Sequence, residues 1–240
     1  MPAPAKSARS AAARPAAPDP RQLRHQALAD TRRQLVLDAA RSAFFELGME
    51  KASIREIAQR AGYTPGAIYS YFASKEAVYG ALLGESLDRL VAAVQQQAKA
   101  QERGAPRLHA AARAFFDFYR DNPRDLDLGF YLFQGMKPRG LTPELNEALN
   151  GRLLESLQPC QTALEHLGMP AAQALQEVTA LFAHAVGLLV LSHTGRIRLF
   201  RQASDELFQR YLDQLVARTP ATPVPTPPQS AKPPAKVSRK

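Results

Sequence analysis

Two hydroxyl residues, Ser53 and Thr64, each stand immediately before a short run with helical apolar spacing. A hydroxyl at that point accepts from an otherwise unpaired backbone N–H of the first turn. Glu56, three residues after Ser53, completes a capping box. Gly62 lies between the two runs, where a helix commonly ends in left-handed backbone. Pro65 follows Thr64 at a first-turn position that needs no N–H. Ile54, Ile57, Ala58 and Ala61 form one apolar stripe, and Ile68 and Phe72 a second. Pro65, Gly66, Ala67, Tyr69, Ser70 and Tyr71 are left more exposed, and Ser74 caps a further helix that opens with Lys75 and Glu76. The chemistry these residues offer is recognition, not bond making. A helix of about two turns is marginal alone and must be held by its neighbours. Held in that way, with small and polar residues outward, it suits insertion into a DNA major groove. The plain alternative is an ordinary pair of capped helices in an all-α protein.

No catalytic constellation accompanies it. The chain has no Gly-rich phosphate loop, no spaced Cys/His set and no nucleophile motif. Neither enzyme activity, a cofactor nor a metal is expected. The single cysteine, Cys160, has no intrachain disulfide partner and reads as a small buried hydrophobe.

Residues 31–80 closely resemble the N-terminal domain of TetR-family transcriptional regulators. The elements that carry the likeness are TRRQLVLDAARSAFFELG, the link MEKAS, IREIAQRAG and YTPGAIYSYFASKEAVYGAL. Gly66-Ala67-Ile68-Tyr69, then Tyr71-Phe72 and Ser74-Lys75, are its most specific residues. The resemblance implies an all-α fold: a three-helix DNA-binding domain followed by a larger helical domain for effector binding and dimerisation. It further implies that Pro65, Gly66, Ala67, Ser70 and Tyr71 lie near base edges, with Thr64 capping their helix. Tyr69 and Lys75 would meet phosphates, and Ser53 and Arg55 would anchor the preceding helix. This recognition helix lacks Arg, Asn and Gln, so bidentate base reading is poorly supplied. Specificity should lean on apolar contacts, Tyr71 and DNA shape.

The net charge of +9 is unevenly placed. Residues 1–33 carry seven Lys or Arg against Asp19 and Asp30, and residues 218–240 carry five and no acid, so the body between is close to neutral. The ends are also proline-rich. The expected organisation is a disordered basic arm over 1–27, the DNA-binding domain over 28–76, a helical domain over 77–218 and a disordered tail over 219–240. The arm reading applies to Arg21–Arg33, which lead into the DNA-binding domain and add sequence-independent phosphate attraction. No apolar run reaches the length of a membrane span. The N-terminus lacks the apolar core of a signal peptide, so a cytoplasmic, nucleoid-associated protein is expected, with no membrane partner.

Beyond Ser74 helical spacing continues: about 75–100, 106–120, 143–166, 171–194 and 204–218, with no alternating strand pattern. From Val178 the fourth of these is apolar nearly all round and must bury more than one face. Ala180, Ala183, Gly187 and Leu191, with Leu207 and Tyr211 on the last helix, should form a four-helix interface between two copies; the alternative is a central helix of a monomer. A homodimer matches the two half-sites that a helix-turn-helix usually reads. Seven aromatic residues crowd into 115–133. Core packing explains them adequately. An effector pocket drawing on Phe115, Phe116, Tyr119, Phe130, Tyr131, Phe133, His166 and Phe182 is the functional reading.

The expected partners are thus a double-stranded operator, a second copy of the chain and a small, largely apolar effector. The expected mechanism is repression relieved when the effector tilts the helix from Lys75 and changes the separation of the two reading heads. The alternative is a helix-turn-helix protein without an effector, acting through protein partners or as an activator.

Overall fold

The computed structural model describes residues 19–130 and 141–220, and among these residues every regular element is helical. Nine α-helices follow in order: α1 Pro20–Lys51, α2 Ile54–Ala61, α3 Pro65–Tyr69, α4 Lys75–Lys99, α5 Ala105–Asp121, α6 Pro123–Phe130, α7 Pro143–His166, α8 Ala171–His193 and α9 Ser204–Ala217. A 3-10 turn, Arg196–Phe200, joins α8 to α9.

The helix boundaries follow local chemistry. Ser53 Oγ accepts from Glu56 N at 3.2 Å, Thr64 Oγ1 from Ala67 N at 3.3 Å and Ser74 Oγ from Ala77 N at 3.1 Å. Gly62 takes φ 72° at the end of α2, and the following Tyr63 N–H bonds to Ala58 O at 2.8 Å, closing the last turn. Expectation and structure differ at the start of α1. Residues 20–27, expected in a disordered arm, are the first turns of α1, because Asp19 caps Arg21 N at 2.9 Å and no breaker follows Pro20 until Gly48. Ser204 is the first helical residue of α9 and is buried.

Two packed regions share α4. At its start, Val36, Leu37, Ala40 and Phe44 of α1 close over Ile54, Ile57 and Ala58 of α2, Ile68 of α3 and Phe72. Farther along, α4, α5 and α7 pack together, α8 lies on α5 and α7, and α9 lies on α8. Gly80 lets α7 approach α4: a Cβ there would stand 2.5 Å from Leu145 Cδ2. Burial of this core is the main source of cohesion, at about 25 cal/mol per Å² of apolar surface.

Candidate functional site

The first functional surface is the short α3 and what holds it. Ile68 is fully buried and Phe72 nearly so, and they pin α3 to the core from one side. On the other side Thr64, Pro65, Gly66, Tyr69 and Ser70 are exposed, with Tyr69 56 % accessible. Ala67 and Tyr71 are half-buried, and Tyr71 packs against the core. Ser53 and Arg55 open α2 and are exposed too. Ser70 Oγ donates to Ala67 O at 2.7 Å, which fixes its rotamer. Of the predicted recognition residues, all but Ala67, Tyr71 and Lys75 are thus exposed, and Lys75 is engaged by α1. Its ammonium donates to Met49 O at 2.7 Å and Glu50 O at 3.4 Å, lacing α4 to the end of α1. Beside it Arg60 binds Glu56 at 2.8 Å, and the exposed Glu46 at 2.8 Å and Ser42 at 3.0 Å, tying α2 to α1. The Arg60 hydrogen bond holds the Glu46 carboxyl below its ordinary range.

The aromatic residues read as an effector pocket are packed tightly against one another. Phe115, Phe116 and Tyr119 are buried. Phe115 meets Tyr119 at 5.2 Å and Phe182 at 5.9 Å, Tyr119 meets Phe130 at 5.5 Å, and Phe116 stacks on Phe208 at 4.4 Å. Burial raises the Tyr119 phenol above its ordinary value. His166 is exposed at the end of α7, and Tyr131 and Phe133 lie outside the described residues. Cys160 is buried, and burial pushes its thiol up to about 12, which leaves it un-ionised and unreactive.

A cavity of about 850 Å³ opens elsewhere, where α1, α4 and the α5–α6 corner meet. Phe44, Phe45, Met49, Tyr79 and Leu128 supply its apolar wall. Arg41, Arg89 and Arg124 and several acids line the rest. The Tyr79 hydroxyl donates to the Leu128 carbonyl, joining α4 to α6. Arg89 pairs with Asp125 at 2.6 Å, Arg41 with Glu85 at 3.3 Å, and Arg124 lies over the Phe45 ring at 4.2 Å. Volume and lining are those of a small-molecule site. Sequence reading passed over these residues. The available signal was Phe44-Phe45: helical spacing turns one ring inward and leaves its neighbour, 52 % accessible, outward.

The second surface is on α8. Ala180, Ala183 and Gly187 are exposed in one stripe, and Leu191, Leu207 and Tyr211 are half-buried beside it. Against the expectation that no apolar run reaches the length of a membrane span, α8 could cross one by length and composition alone, and only a third of its most apolar stretch is buried in this single chain. His184 stacks on Tyr211 at 4.3 Å, and burial holds its imidazole below the ordinary value. Asp205 anchors α9 to α5 through Arg120 at 2.7 Å and Arg113 at 3.1 Å.

Residues 36–82 match the bacterial regulatory proteins of the tetR family, and residues 108–215 match the tetracyclin repressor-like C-terminal domain. The chain belongs to the TetR family. Its TetR-type N-terminal domain carries the α2–α3 surface, and the C-terminal match spans α5 to α9. Similar proteins include the HTH-type transcriptional activator FasR of Mycolicibacterium smegmatis, 38 % identical over 101 residues, which are 42 % of this chain and 46 % of that protein. The A-factor receptor protein of Streptomyces griseus is 50 % identical over 50 residues, 21 % of this chain and 18 % of that one. The TetR-like chain thus spans less than half the length of these curated relatives. Among solved structures, FadR from Bacillus subtilis in complex with stearoyl-CoA aligns at a TM-score of 0.59 with 19 % identity, over 77 % of this chain and 97 % of that one. A TetR-family transcription regulator from Marinobacter aquaeolei VT8 aligns at 0.60 with 18 % identity, over 80 % and 97 %. At that identity the likeness is one of fold.

Proposed function

We propose that the chain is a sequence-specific transcriptional regulator that binds a palindromic operator as a homodimer and releases it when a small effector occupies its C-terminal domain. The observation that carries this reading is the exposed α3 surface, held from behind by Ile68 and Phe72 in a TetR-type N-terminal domain. Pro65, Gly66, Ala67, Ser70 and Tyr71 are assigned to base edges, and Tyr69, Ser53 and Arg55 to the backbone on either side. Lys75 donates to carbonyls, and an ammonium has three N–H bonds, so one is left for a phosphate. The exposed stripe Ala180, Ala183 and Gly187 supports pairing through α8 and α9, because small residues let two helices approach closely.

The direction of control rests on geometry. A two-fold dimer must match half-sites about one helical turn apart, so a ligand that alters the angle of α4 alters that match and weakens binding. Repression relieved by ligand is therefore our reading. The test is selection of bound DNA from a random pool, then competition of the selected site against bulk DNA at fixed salt. A preference of about a thousandfold or more is expected, and equal affinity for both sinks the proposal. Titration of small molecules, stearoyl-CoA among them, against the selected complex then tests the effector. Substituting Arg55 or Tyr69 by Ala should weaken operator binding about tenfold, the scale of a lost hydrogen bond to a charged phosphate, without unfolding the chain, since both side chains are exposed.

A further inference from the structure

The cavity between α1, α4 and α6 differs from the aromatic core beside it in one respect: it holds a cation without a carboxylate. Five acids line it, Asp127 among them, and four of the five are each matched by an arginine. Glu85 faces Arg41 at 3.3 Å, Asp125 faces Arg89 at 2.6 Å, Asp88 faces Arg152 at 2.8 Å and Asp121 faces Arg120 at 2.9 Å. Arg124 forms no ion pair among the described residues and rests on the Phe45 ring instead. A guanidinium presents a planar fork that suits a carboxylate, and the ring beneath it is a flat, half-exposed apolar surface on the cavity lining.

Resting on the reading of an effector-responsive regulator, we propose that this cavity binds an aromatic carboxylate. Its anion meets Arg124, and its ring lies against Phe45 and Tyr79. A cationic ligand would have to compete with arginines already bonded to four of the five lining acids, and a neutral one would leave Arg124 as it stands. The position gives the ligand leverage. Phe45 belongs to α1 of the DNA-binding domain, Arg124 to α6, and Tyr79 to the α4 that both regions share. Drawing Arg124 away from Phe45 removes a direct link between α6 and α1, so occupancy is coupled to the placement of the reading head.

The experiment uses the full chain and three probes of one shape: 2-naphthoate, 2-naphthylmethylamine and 2-naphthamide. Binding is read by calorimetry and by the shift in melting temperature. Naphthoate is expected to bind at least about tenfold more tightly than the amine or the amide, the scale of a charge-assisted hydrogen bond in a partly dry site. Arg124→Ala should abolish that preference, and Arg124→Lys should keep part of it because the charge remains. Arg124 is exposed on α6, and Arg124→Gln replaces the alanine variant if that one does not fold. Equal binding of the three probes, naphthoate binding undiminished in Arg124→Ala, or no binding of any probe overturns the proposal. Operator binding by the unliganded wild-type chain is measured alongside. Its loss speaks against the regulator reading, whereas intact operator binding with no naphthoate response removes the ligand assignment alone.

Discussion

The ammonium of Lys75 donates to the carbonyl oxygen of Met49 at 2.7 Å, which fastens the first residue of α4 to the last turn of α1. Gly48, at φ 80°, breaks the helical backbone one residue before Met49. Every movement of α4 that leaves this bond intact carries α1 with it, so the bond lies between the regulatory helices and the reading head.

Lys75→Ala should therefore lower stability as well as DNA affinity. The loss of a partly buried hydrogen bond from a charged donor costs about 1 kcal/mol, which lowers the melting temperature by roughly 2–4 °C in a chain of this size. Removing a lysine that met phosphate alone would leave the melting temperature unchanged, and would weaken binding while reducing its salt dependence by about one unit of slope. Thermal unfolding and salt titration of the same variant separate the two.

Gly187→Leu should act in opposite directions on the single chain and on its pairing. A Cβ at this position meets nothing within 4 Å, and replacing a mid-helix glycine stabilises a helix by roughly 0.8 kcal/mol. At an interface between two α8 helices the added side chain holds them apart. Sedimentation should show association weakened at least about tenfold, a loss of roughly 1.4 kcal/mol, while the helical content stays unchanged. A variant that remained as tightly paired as wild type would place the interface elsewhere.

His184 sets a pH dependence. Burial holds its imidazole below the ordinary 6.5, and a hydrogen bond to the Leu207 backbone opposes this in part. The unfolded chain then binds more protons than the folded one below about pH 6.5, so stability falls as pH drops through that value. Above it His184 is neutral in both states and contributes no slope. Melting temperatures at about pH 7.5 and about pH 5.5 should differ more for wild type than for His184→Phe. A larger difference in the variant would contradict the sign.

How far the fold was legible depended on what fixes each feature. The ends of α2, α3 and α4 are set within a few residues by Ser53, Gly62, Thr64 and Ser74, so the chain spells them out locally. The start of α1 carries equally local signals, an Asp19 cap and Pro20, but its basic, alanine-rich composition pointed toward disorder. The exposed side of α3 followed from the positions of Ile68 and Phe72. The cavity did not, because Phe45, Tyr79 and Arg124 come from three helices and their meeting is a tertiary fact. The crowding of aromatic residues between Phe115 and Phe130 marked a packed core. Rings attract one another, and a dense cluster tends to fill its own space.

Helix α1 begins many residues before its packed part. Arg21 to Leu28 are all exposed, and the buried stripe starts only at Val36. Residues 20–32 add roughly 18 Å of rod at 1.5 Å per residue. A floppy cationic segment samples many phosphates and loses that freedom on each encounter. Were this stretch to lie on DNA, as proposed for a basic arm, the rod would act as a ruler, holding Arg21, Arg24 and Arg32 at set distances from Tyr69 so that the backbone positions within their reach would be chosen in advance. Exchanging this stretch for a flexible linker of equal charge would preserve the attraction to DNA and erase the measurement.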